Sequence, residues 1–273
     1  MITKEQKDRL KMKEQEIADN MHSIKHRIVV FSGKGGVGKT TVSVNLAYGL
    51  RTRGFKIGIL DADITGPNVP KMLGLWGQPY GKDKRLMPPI CHDVKVISAA
   101  SLVSPDEPIA WRGPMRSKLL YQFLGEVEWG PLDFLIADLP PGTGDEIITL
   151  TQQMDPDLAI IVTTPQELSL IDSARAINLA KKIKIPKIGV IENMSGFRCP
   201  ECGNKIDLFD SGGGEKQAEQ MNVSFLGALP IDIEARKKAD KGKPIILDNR
   251  NADLSTAIME VIEKVESMLE NTI

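Results

Sequence analysis

Between Gly33 and Thr41 the chain reads GKGGVGKTT, directly after the apolar run IVVFS (28–32) and overlapping the start of a helix-length segment, TTVSVNLAYGLRTRG (40–54). The spacing matches G-x-x-x-x-G-K-[ST] in its strand-to-helix setting. Gly33, Gly35, Gly36 and Gly38 free the backbone to curl, so the amides from Lys34 through Val37 to Thr41 converge on one point, which the positive end of the following helix also faces. That chemistry is phosphate binding, and the expected cofactors are ATP and Mg2+. Lys39 is expected to place its ammonium on the β- and γ-phosphates, and Thr40 to offer its hydroxyl to magnesium.

Phosphoryl transfer needs a metal ion and an oriented water more than covalent chemistry, so acidic residues at strand ends are the next candidates. ILDADITGPN supplies Asp61 and Asp63, and IADLPPGTGDE supplies Asp138. Asp138 ends an apolar run and is the expected magnesium carboxylate. Gly142 follows it closely enough to give the backbone freedom to sense a γ-phosphate.

A second chemistry sits in FRCPECGN (197–204), where Cys199 and Cys202 lie one turn apart. Such a pair chelates one metal, yet a closed zinc site or an iron–sulfur cluster takes four ligands. Cys91, in PPICHDV, is more than a hundred residues away and is expected to be a buried free thiol, while His22, His26 and His92 all lie far upstream. Two chains related by a two-fold axis bring two C-x-x-C pairs together and complete the count. The expectation is a homodimer with a 4Fe-4S cluster at its boundary. A symmetric zinc clasp has the same ligand geometry, and a thiol redox pair is a third reading.

The elements that must position these residues alternate in type. Short apolar runs at 28–32, 56–63, 94–98, 134–140, 158–164, 187–193 and 225–230 are separated by helix-length segments. Strands this apolar are buried on both faces, and their alternation with helices implies right-handed crossovers. The expected fold class is α/β, a doubly wound and mainly parallel sheet flanked by helices, with ligands beyond the carboxyl ends of the strands. Residues 1–26, rich in Lys, Arg, Glu and Asp, read as a solvated helix or a partly disordered arm preceding a domain over 27–273. The Pro/Gly-rich stretch from Thr65 to Pro89 reads as an excursion over the active edge.

Composition narrows the partners. With 273 residues, 41% hydrophobic and a formal charge of -1, nothing draws the chain as a whole to nucleic acid or anionic lipid. No apolar run reaches the roughly 18 residues of a spanning helix. Three cysteines cannot form an even disulfide framework, and the expected compartment is a reducing cytoplasm.

Lys34, between two glycines, introduces a resemblance. KGGVGKTT resembles the deviant Walker A loop of the ATPase class that includes the nitrogenase iron protein and the Min and Par ATPases. That resemblance implies that Lys34 reaches the nucleotide of a partner subunit, that Asp63 orients the attacking water and that Asp61 supports the metal shell. It also implies that Asn193 hydrogen-bonds adenine and that LPIDIEARKKADKGKP (229–244), with Pro230 and Asp232, closes over the base. Taken with DADITGPNVPKMLG, WRGPM (111–115), DFLIADLPPGTGDE, VTTPQE, ENMSGFRCPECG and SGGGE, the chain resembles the Mrp family of iron–sulfur cluster carrier ATPases over about residues 25–269. The resemblance implies slow ATP hydrolysis and apo iron–sulfur proteins as recipients. One departure is Asp210, where many relatives have glycine. A Min- or Par-like positioning ATPase shares the nucleotide motifs, but the acidic last helix does not suit a lipid surface. An ATP-driven electron-transfer reductase is the other alternative.

Overall fold

A computed structural model describes residues 4–75, 77–83, 85–102, 113–199 and 201–270. The strands are β1 (Ile24–Phe31), β2 (Ile57–Asp61), β3 (Tyr80–Lys82), β4 (Arg85–Met87), β5 (Ile90–Cys91), β6 (Val94–Ser98), β7 (Leu132–Asp138), β8 (Leu158–Thr163), β9 (Lys187–Arg198), β10 (Lys205–Ile206) and β11 (Ser224–Ile231). The α-helices are α1 (Lys4–His22), α2 (Lys39–Thr52), α3 (Val69–Leu73), α4 (Gly113–Gly125), α5 (Asp145–Met154), α6 (Glu167–Lys182), α7 (Gly213–Gln220), α8 (Ile233–Asp240), α9 (Ile245–Asp248) and α10 (Asp253–Glu270).

The main sheet runs β10-β9-β8-β1-β7-β2-β6-β5, with β11 also pairing β9. Its central pairings are parallel, and the antiparallel partners β5 and β10 are two-residue strands at the edges. The doubly wound reading therefore holds. Alternating residues of β1 show why: Ile28 and Val30 enter one core, Val29 and Phe31 the other, and all four are sealed from solvent. The first core is closed by Leu46 and Leu50 of α2 and by Ile258, Val261, Ile262 and Val265 of α10. The second is closed by α1, α4, α5 and α6 through Met21, Phe123, Leu150 and Ile177. At about 1.5–3 kcal/mol per buried aliphatic or aromatic side chain, these two layers are the main force holding the strand ends in place.

The N-terminal segment is a helix, and it is docked where a solvated helix or a partly disordered arm was expected. α1 packs on α4, with Ile17, Met21 and Ile24 all under 5% exposed. Asn20 donates from Nδ2 to the carbonyls of Leu124 and Val127 at 2.6 and 2.9 Å. β1 begins at Ile24, so the boundary expected at residue 27 falls inside a strand. Lys11, Lys13, Glu14 and Glu16 of α1 are exposed, while Ile17 and Met21, at i and i+4, face the core. The 65–89 excursion contains α3 and the β3–β4 hairpin, which is tied down by Leu86, whose N–H donates to Glu126 and whose carbonyl accepts from Glu128.

Candidate functional site

The phosphate loop follows β1 and feeds α2. Gly36 and Gly38 both stand at φ +82°, the left-handed region that glycine enters without penalty, and Gly38 is the N-cap of α2. Two of the loop's glycines are also demanded by close approach. A Cβ at Gly33 would lie 2.1 Å from the carbonyl oxygen of Asp172 on α6, and one at Gly38 would lie 2.2 Å from Asn193 Nδ2. Val37 is buried in the core beneath the loop, so the curl is anchored from below. Lys34 is half-buried, and its carbonyl accepts from Ser32 Oγ at 2.8 Å.

Asp138 is the centre of the site. It is fully buried at the end of β7 and accepts from Lys39 Nζ (2.9 Å), Thr40 Oγ1 (2.7 Å) and Ser43 Oγ (2.8 Å). The lysine expected on phosphates is thus ion-paired with this carboxylate, and lies 4.0 Å from Asp63 Oδ2. Beside it, Asp61 is in register with Asp138 across β2 and β7, and neighbours in parallel register share one face of the sheet. Asp61 Oδ2 accepts from Ser98 Oγ and Val69 N, while Oδ1 is buried without a hydrogen-bond partner. Burial, reinforced by the neighbouring Asp138 charge, pushes the Asp61 carboxyl up to about 8. Two carboxylates facing one ammonium leave the pocket short of positive charge. Thr40, Asp138 and Asp61 present oxygen donors of the kind a divalent cation takes.

The loop opens into a cleft of about 600 Å³ that runs from Gly38, Thr40 and Thr41 to Pro230, Ile231 and Asp232. Asn193 lines it and donates from Nδ2 to the Val37 carbonyl at 2.8 Å, so one amide hydrogen braces the loop. Asp232 is the N-cap of α8, accepting from Ala235 N at 2.9 Å. The cleft matches a nucleoside in size and in its mixed polar and apolar walls. A slightly smaller hollow of about 580 Å³ near Arg51, His92 and Lys243 lies at the other end of α2, away from the loop.

β9 runs past Asn193 to Arg198 and turns into the antiparallel β10, with Phe197 opposite Ile206. Cys199 and Cys202 occupy this turn. Cys199 N donates to Asn204 O and Gly203 N to Cys199 O, both at 2.9 Å, which makes a tight knuckle. Pro200 and, in the WRGPM segment, Trp111 and Arg112 lie outside the described residues. Cys202 is exposed and Cys199 half-buried. The N–H groups of Cys202 and Glu201 point at the Cys199 sulfur and hold its thiol below the usual cysteine range, favouring the thiolate that binds metal. Among the described residues no cluster of three or more His, Cys, Asp and Glu is arranged to hold a metal ion. Cys91 is on β5, at the opposite edge of the sheet from β9. Six strand spacings of about 4.8 Å put it roughly 29 Å away, too far to share a ligand shell.

Four contributors had no assignment from the motifs. Ser43 and Ser98 brace the two carboxylates. Phe209 lines the cleft. Glu192 is fully buried and accepts from Gly212 N (2.9 Å), Gly214 N (2.6 Å) and Ser195 Oγ (2.6 Å), clamping the SGGG loop to β9. The available signal for Glu192 was a carboxylate inside the apolar run KIGVIEN, because a charge is buried only with partners. The glycines of SGGG supply them.

Several known proteins are similar to this chain. A family model described as ParA, NUBPL iron-transfer P-loop NTPase, matches residues 23–266. An iron-sulfur cluster carrier protein of Methanocaldococcus jannaschii is 49% identical, over 96% of this chain and 92% of its own length. One of Pyrococcus horikoshii is 48% identical, over 94% and 91%. Among solved structures, a nucleotide-binding protein of Archaeoglobus fulgidus in complex with ADP superposes with a TM-score of 0.77 at 37% identity, over 88% of this chain and 95% of that one. The cell division ATPase MinD of Pyrococcus furiosus shares the fold, with a TM-score of 0.67 at 23% identity over 89% and 99%. The phosphate loop, the paired strand-end carboxylates and the cysteine knuckle stand within the matched span, and the chain belongs to the NUBPL iron-transfer P-loop NTPase family.

Proposed function

We propose that this protein is an ATP-hydrolysing carrier that holds a 4Fe-4S cluster between two copies of itself and passes it to apo iron–sulfur proteins. The observation that carries the reading is the isolation of the Cys199–Cys202 knuckle, exposed at Cys202, towards one sheet edge, with Cys91 at the other. One chain offers two thiolates where a cluster takes four, and an isologous pair of chains supplies the rest. Relatives named as iron-sulfur cluster carriers support the cargo.

In this reading the loop amides of Gly33 to Thr41 and the α2 N-terminus bind the phosphates. Lys39 exchanges its ion pair with Asp138 for the γ-phosphate. Thr40, Asp138 and Asp61 hold the Mg2+ ion, which supplies charge neutralisation at the transferring phosphoryl group. Asp63, 4.0 Å from Lys39, orients the attacking water, and Lys34 reaches across to the partner's nucleotide. Asn193, Pro230 and Asp232 border the adenine, and Gly142, at φ +101° with its N–H on the Ser32 carbonyl (2.8 Å), senses the γ-phosphate. Among the described residues no helix is long and apolar enough to cross a membrane. Free thiols suit a reducing cytoplasm.

The test is anaerobic reconstitution with iron and sulfide, followed by metal analysis and mass in solution. The expected product is one four-iron cluster per dimer, transferable to an apo-protein, and absent from Cys202→Ala, which still binds ATP. Zinc alone in every preparation, or a complete cluster on a monomer, would refute the proposal.

A further inference from the structure

The seven residues from Ile206 to Gly212 join the cysteine hairpin to the Glu192 clamp, and they pass along the nucleotide cleft on the way. β10 ends at Ile206, paired to Phe197 three positions after Met194, which also lines the cleft. At the other end, Gly212 and Gly214 donate to the buried Glu192 carboxylate, one residue from Asn193 and its bond to the phosphate loop. Between these fixed points Phe209 turns into the cleft wall, the one aromatic among the lining residues described. It is 38% exposed there, and Asp210 just beyond it adopts φ +73°, a left-handed turn that aspartate tolerates less well than glycine. An aromatic face presented to a nucleoside-sized cleft is the surface on which a base stacks.

We propose that Phe209 is a base-stacking residue that transmits nucleotide occupancy to Cys199 and Cys202 through the short segment joining them. The inference rests on the nucleotide-binding reading of the cleft, and not on the identity of the metal cargo. A base seated on Phe209 orders the 206–212 segment, which is tied to Glu192 at one end and runs through β10 into the cysteine turn at the other.

The test uses the metal-free chain. Iodoacetamide labelling with peptide-resolved mass spectrometry reads Cys199, Cys202 and Cys91 separately, with and without saturating Mg·ADP, while calorimetry reads ADP affinity. In the native chain ADP is expected to change the labelling rate at Cys199 and Cys202 about fivefold, the low end of ordinary coupling between sites, and to leave Cys91 unchanged. Phe209→Leu keeps apolar bulk and thermal midpoint but loses the stacking face, so ADP affinity falls roughly tenfold and the labelling response disappears. Phe209→Tyr retains both. Native ADP affinity in Phe209→Leu, or labelling of Cys199 and Cys202 that ignores ADP in the native chain, overturns the inference. A chain that binds no cluster but shows these responses would refute the carrier reading and leave this one standing.

Discussion

Asp61 and Asp138 stand in register on adjacent strands, both fully buried, and Lys39 pairs with Asp138 at 2.9 Å while Asp61 Oδ1 has no hydrogen-bond partner. Asp61 gains a proton on folding because its carboxyl is raised to about 8 by burial and by its neighbour's charge. A folded-state value above the unfolded one means the native chain binds more protons between about pH 4 and 8, so stability falls as pH rises through that window. Without metal the thermal midpoint is expected to drop from pH 6 to pH 8, and Asp61→Asn to flatten that slope. Mg2+ with nucleotide should displace the proton, which calorimetry in buffers of different ionisation enthalpy reads as proton release. A pH-independent midpoint in the native chain would show that Asp61 is ionised throughout.

Lys39 is 7% exposed and its partner 1%, so their ion pair is buried on both sides. Removing one member leaves the other uncompensated, a loss of about 3–5 kcal/mol. Lys39→Ala should lower the melting temperature and reduce ATP hydrolysis by roughly 100-fold or more, as loss of a charge-stabilising donor does. Adding Asp138→Asn should restore most of the stability and none of the hydrolysis. If the double variant melts as low as the single one, the pair is not what holds the loop.

The contact between Gly38 and Asn193 separates two costs of a side chain in the loop. Gly38→Ala meets Asn193 Nδ2 at 2.2 Å and holds alanine at φ +82°, which costs about 1–2 kcal/mol by itself. ATP affinity is expected to fall at least tenfold, roughly the 1.4 kcal/mol equivalent. Asn193→Ala in the same chain removes the clash but leaves the dihedral cost and also takes away the brace on the Val37 carbonyl, so titration should show no return to native affinity. Complete recovery would mean that the loop bends freely at this position.

Most of the sheet was legible because apolar runs such as LAIIVTT admit no exposed face, and the observed β8 begins at the expected residue and ends one short. The phosphate loop was legible because glycine spacing, lysine and hydroxyl all serve one ligand. The short strands β3, β4, β5 and β10 were not, since two or three residues carry too little periodicity to stand out from a loop. Glu192 and Ser43 escaped because a brace is defined by what it touches across the sheet, which no local pattern records. The docking of α1 is the clearest miss: its Lys and Glu content masked Ile17 and Met21, whose i, i+4 spacing puts both on one face of the helix.

That helix yields the last prediction. Asn20 is 7% exposed and satisfies the carbonyls of Leu124, in the last turn of α4, and Val127, just beyond it. Asn20→Ala strands two acceptors behind a docked helix, at about 1–3 kcal/mol for a buried unsatisfied group. In a chain of this size the expected fall in melting temperature is roughly 3–9 °C. Met21→Ala, which opens a cavity against the second core, should cost about 2–5 kcal/mol and melt lower still. Both variants should bind ATP with native affinity when folded, because α1 packs on the face of the sheet opposite α2. Unchanged melting in both would mean that the segment is the solvated arm its charge suggests, undocked in solution.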